Sequence, residues 1–161
     1  MASQRRLALL AGLILGALTV AAPARAGDVT AFITFPSPSD VWDRGYGAAL
    51  TSTWFHVIGL EAEAARIPLD SADGTMTSFT GSVMLAPPVG ALIPYGGLGV
   101  GLFRQTVADT ADTGTVRVFI LGAKLKLGLL VVRGDYRSLR LSGNPLLPMD
   151  RRVTIGAGIT F

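Results

Sequence analysis

From Gly27 onward short runs with apolar residues at every second position recur between clusters of Gly, Pro, Asp, Ser and Thr, and no stretch carries apolar residues at helical spacing for three turns. In the final segment Val153, Ile155, Ala157, Ile159 and Phe161 share one side of an extended chain, while Arg152, Thr154, Gly156, Gly158 and Thr160 share the other. The same alternation sets Ile58, Leu60, Ala62 and Ala64 against Gly59, Glu61, Glu63 and Ala65, and Leu98, Val100 and Leu102 against Gly97, Gly99 and Gly101. Further on, Phe119, Leu121, Ala123 and Leu125 oppose Gly122, Lys124 and Lys126. Counted along the chain, the pattern predicts eight strands, over residues 29–35, 46–55, 57–66, 76–85, 94–106, 116–125, 129–141 and 151–161.

The connections between these strands alternate in length. Long polar segments occupy 36–45, 67–75, 107–115 and 142–150, whereas the second and third, fourth and fifth, and sixth and seventh strands are joined compactly. Long loops at one end and tight turns at the other are expected of an all-β, eight-stranded antiparallel up-and-down barrel whose two mouths meet different surroundings.

The beginning of the chain sets the compartment. Arg5 and Arg6 precede the apolar run Leu7 to Ala22, and Ala24-Arg25-Ala26 follows as a small-x-small cleavage site, so residues 1–26 read as a secretory signal peptide. The run is shorter than the roughly 18 to 20 residues that span a bilayer as a helix. Residues 27–161 are then the single mature domain. Without Arg5, Arg6 and Arg25 the 14 bases fall to 11, matching 11 acids, so the formal charge of +3 gives no reason to expect nucleic acid as a partner. With no cysteine, this exported domain holds together by strand pairing and burial rather than by disulfides.

Alternation alone leaves open which face points inward. A soluble barrel, such as a periplasmic lipocalin-like carrier of an apolar ligand, would enclose its Leu, Val and Ile side chains. Three features favour the inverse arrangement of a transmembrane barrel: the export signal, the glycines on the polar faces, and a charged content of only 16%, much of it in loops, which leaves little to solubilise the outside. In that arrangement Glu61, Glu63, Lys124, Lys126, Arg133, Asp135 and Arg137 face the lumen as a structural ion network whose mutual pairing offsets the burial of each charge.

Candidate chemistry is sparse. His56 is the only histidine and reads as a turn residue beside Trp54 and Phe55, and with no cysteine a zinc site is not expected. Glu61 and Glu63 could do acid and base work but fit the lumen network better. Asp70 with Asp73, and Asp109 with Asp112, lack calcium-loop spacing. Arg133-Gly134-Asp135 lies within a strand, where its side chains alternate faces, and GLGVG (97–101) is not followed by a helix, so neither reads as an adhesion or nucleotide motif. No catalytic residue, cofactor or metal site is expected.

The segments YGGLGVGLFR (95–104), FILGAKLKLGLLVVRGDYRSLRL (119–141) and VTIGAGITF (153–161) resemble, in order and spacing, the last four strands of the small eight-stranded outer-membrane barrels of Gram-negative bacteria, the OmpA transmembrane domain and opacity protein type. The resemblance implies residence in the cell outer membrane, contact with outer-membrane lipid, and a structural or surface-interaction role without catalysis. It also implies that Val153, Ile155, Ala157, Ile159 and terminal Phe161 form a signal read by the barrel-assembly machinery. His56-Val57-Ile58 departs from the His-x-Ser element of the barrel deacylases. A porin-like narrow channel for small solutes or ions is the alternative within the same architecture, although eight strands enclose a bore that side chains can fill. A surface ligand, if the long loops hold one, would meet exposed candidates such as Trp42, Tyr46 and Leu146, although apolar loop side chains also simply pack on the rim.

Overall fold

The computed structural model describes residues 27–161 except 40, 56, 71, 72 and 109, so the expected signal peptide, His56 and Asp109 lie outside the described residues. Eight strands follow one another: β1 Gly27–Ser37, β2 Gly45–Trp54, β3 Ile58–Pro68, β4 Gly74–Leu85, β5 Leu92–Val107, β6 Thr110–Leu127, β7 Leu130–Ser142 and β8 Arg151–Thr160. Each pairs antiparallel with its neighbours in sequence, and β8 returns to β1, closing the sheet into a barrel without an edge.

The registers fix the stagger. From Ser37 the cross-strand partners run through Arg151, Ser138, Phe119, Leu98, Val83, Leu60 and Ser52 back to Gly27, ten residues lower on the strand where the path began. With a rise of about 3.3 Å per residue and a strand spacing of about 4.8 Å, that stagger tilts the strands by roughly 40°.

The expected long loop over 107–115 is not one. β5 and β6 extend through it as a hairpin, pairing Val107 with Thr110 and Arg104 with Thr113. Ala108, at φ 50°, makes the turn. Thr106, Thr110, Thr113 and Thr115 are β-branched and suit a strand wetted on both faces, so polarity here marks height above the apolar band rather than loss of pairing. At the other end, Gly128 (φ 66°) allows the two-residue turn between β6 and β7.

The faces sort as the inverse arrangement requires. Leu98, Val100, Leu121 and Ile155 are 56% to 68% exposed on the outer wall, while Glu61, Glu63, Arg133, Asp135 and Arg137 are buried. Aromatics fringe the apolar band: Phe55 and Phe161 are exposed at the turn end, and Phe35, Tyr46, Phe79, Phe119 and Tyr136 toward the loop end.

Candidate functional site

Among the described residues the lumen holds four buried acids and four buried bases: Asp28, Glu61, Glu63 and Asp135 with Lys124, Arg133, Arg137 and Arg152. Strand periodicity explains the convergence. Glu61 and Glu63 sit two apart on β3, and Arg133, Asp135 and Arg137 two apart on β7, so each set lines one face; β3 and β7 lie across the ring from one another. Arg133 donates from Nη1 to Glu61 Oε2 at 2.6 Å, and Arg137 from Nη2 to Glu61 Oε1 at 2.8 Å. Asp135 sits between these arginines, accepting from Arg133 Nη2 at 2.8 Å and from Arg137 Nε at 2.6 Å, while Tyr95 donates its hydroxyl to Oδ2 at 2.8 Å.

The network continues toward both ends. Upward, Arg137 Nη1 lies 2.7 Å from Glu63 Oε2, and Glu63 pairs in turn with Arg152. Downward, Lys124 donates to both Asp28 oxygens at 2.9 Å and to Thr51 Oγ1 at 3.0 Å, and Thr51 donates to Glu61. Opposite charges therefore alternate along the bore, with a formal sum of zero. Ser78, Thr80, Ser82, Gly97, Gly99 and Gly101 give the β4–β5 wall small inner side chains, leaving the bore to the long ones from β3, β7 and β8.

Six of the seven network residues expected from sequence thus meet. Lys126 does not: it is half-buried at the turn-end mouth, beside a cavity of about 100 Å³ also lined by Asp28, Met84, Tyr95 and Lys124, and makes no ion pair among the described residues. Asp28, Arg152, Thr51 and Tyr95 were absent from the expected set. Arg152 carried a signal, since it shares the inward side of β8 with Thr154, but Asp28 precedes the first expected strand and its pairing with Lys124 depends on barrel closure.

Above the ions the lumen turns apolar. Trp42, Ile67, Met76, Phe103, Val116, Val118, Leu139 and Met149 form one buried cluster. Trp42 is 2% exposed, so of the two readings open for it the packed one holds and it is not an exposed contact for a surface ligand. The first and last loops fold inward over the mouth, where Trp42 Nε1 donates to the Pro148 carbonyl at 3.0 Å. Gln105 brackets Leu147, donating to its carbonyl at 2.8 Å and accepting from its amide at 3.1 Å. Tyr46 is exposed on the outer wall of β2, and Leu146 is partly exposed on the last loop.

Val153, Ile155, Ala157 and Ile159 form the outer face of β8, and Phe161 is joined to Gly27 by two backbone hydrogen bonds of 2.9 Å. No group of residues able to hold a metal occurs among the described residues.

A closed, eight-stranded antiparallel barrel with an apolar exterior and an ion-filled centre is thus the class that fold and site define. No protein-family model matches the chain, and no curated protein matches it in sequence. Solved structures do match in fold. The chain is similar to Neisserial surface protein A (TM-score 0.62, 14% identity, covering 84% of this chain and 94% of that one) and to the outer membrane protein OprG from Pseudomonas aeruginosa (TM-score 0.56, 16% identity, 85% and 95%). It is also similar to the Yersinia pestis outer membrane protein Ail in a phospholipid bilayer nanodisc (TM-score 0.53, 15% identity, 84% and 99%).

Proposed function

We propose that this protein is an integral outer-membrane β-barrel with a structural or surface-interaction role and no catalytic one. Residues 1–26 direct export, and the outer face of β8 with Phe161 is the element offered to the barrel-assembly machinery. The observation that carries the reading is the inversion of polarity: eight paired charges inside and a continuous apolar wall outside suit hydrocarbon, not water. The fold shared with solved outer-membrane barrels supports it.

The lumen favours the structural reading over the channel. A conducting path would have to pass the Glu61, Arg133, Asp135 and Arg137 cross-braces and then the Trp42 and Met149 plug. The ion network serves as an internal truss, and whatever the protein contacts outside the cell it contacts through the exposed parts of its loops and the β5–β6 hairpin. Extraction and gel migration test the assignment: the protein should need detergent to leave the membrane and should run faster unheated than boiled, whereas release into a detergent-free periplasmic extract contradicts it.

A further inference from the structure

Every exposed charge on the strands is an arginine. Arg66, Arg104, Arg117, Arg140 and Arg151 face outward at the loop end of the apolar band, and no strand carries an exposed carboxylate among the described residues. Corrected for strand tilt, Arg66, Arg117, Arg140 and Arg151 lie within about two residues of one level, just above the aromatic fringe.

Three of them converge. Arg117 and Arg140 are direct cross-strand partners, and Arg151, opposite Ser138, is the diagonal neighbour of Arg140. Like charges directly opposite one another in a sheet repel, with side chains about 5 Å apart at their base. None of the three forms an ion pair with a described residue, and Asp150, next to Arg151 in sequence, does not turn back to one. An anion between the guanidiniums would relieve the repulsion, and the hydroxyls of Ser138, Thr115 and Ser142 stand beside them as further donors.

We propose that Arg117, Arg140 and Arg151 bind the phosphate of a lipid headgroup in the leaflet on the loop side. The wall below decides for a lipid over a soluble anion or an acidic protein. Phe119 lies beneath Arg117 and Val153 beneath Arg151, Tyr136 is the cross-strand partner of Val153, and Leu121 and Val132 continue the wall below, so an acyl chain on this apolar face brings its phosphate to the three guanidiniums. The proposal rests on the membrane reading above.

Native mass spectrometry of the folded protein in micelles containing equal amounts of phosphatidic acid, phosphatidylcholine and oleate tests it. Heat-modifiable migration is read first: failure to fold in detergent contradicts the membrane reading itself. In folded protein, phosphatidic acid should be retained at least about tenfold over the other two. The pair R117Q/R140Q should abolish that preference, R117K/R140K should keep most of it, and R66Q/R104Q, which removes the same charge elsewhere on the wall, should keep it. Equal loss in both glutamine pairs, absence of preference in the wild type, or full displacement by inorganic phosphate overturns the site. If R117Q/R140Q does not fold, the wild type's choice between phosphatidic acid and oleate, both anionic, decides alone.

Discussion

Arg133 and Glu61 join opposite walls of the barrel: the guanidinium from β7 meets the carboxylate from β3 across the bore at 2.6 Å, and neither side chain has any exposure to solvent. Glu61 also pairs with Arg137, so this one carboxylate bridges two buried arginines whose other acidic partners are Asp135 and, for Arg137, Glu63.

Glu61→Ala should therefore cost about 3 to 5 kcal/mol, because it leaves the buried network one negative charge short around Arg133 and Arg137, which keep only Asp135 and Glu63. Equilibrium urea unfolding in detergent or bilayers measures this. Lys126→Ala, at the mouth and without an ion pair among the described residues, should change stability by less than about 0.5 kcal/mol.

Gly101 and Gly81 should respond oppositely to an added methyl. A Cβ at Gly101 would strike the backbone of Phe79 and Thr80 on β4, whereas one at Gly81 meets nothing within 4 Å. Gly101→Ala should destabilise by about 1 to 3 kcal/mol. Gly81→Ala should unfold at the wild-type urea concentration.

Trp42→Ala removes the largest side chain of the mouth plug and its bond to Pro148. A loss of about 3 to 5 kcal/mol is expected for a buried aromatic. Planar bilayer recordings should still show no steady conductance, because the ion network below stays closed; ohmic conductance in the wild type would contradict the structural reading of the lumen.

Phe161→Ala should separate assembly from stability. Phe161 is exposed, and the backbone bonds to Gly27 do not need its ring. Refolding into detergent should proceed as in the wild type, while the amount of heat-modifiable protein recovered from cell envelopes should fall several-fold. Equal recovery removes the signal role of the last strand.

Much of this was legible because a strand with one face in lipid and one in the lumen writes its orientation into every second residue, as β3 and β8 do with Glu61, Glu63, Ile155 and Ile159. Legibility failed where that contrast disappears. In β6, Val116, Val118 and Ile120 are apolar and face inward beneath the mouth plug, while Arg117 faces out. Around Ala108 both faces are wet, so a hairpin resembled a loop. Asp28 and Trp42 find their partners, Lys124 and Pro148, 96 and 106 residues away, and such contacts follow from closure and loop folding rather than from local pattern.

The direction in which the wall faces is tested most directly with tryptophan placed at Leu121 or at Ile155 and the protein folded into vesicles of acyl-chain-brominated phosphatidylcholine. Bromine quenches indole only at close range, so both new fluorophores should be strongly quenched, and more so than Trp42. Tryptophans at those two positions that fluoresce undiminished in brominated lipid would contradict an outer wall made of hydrocarbon-facing side chains.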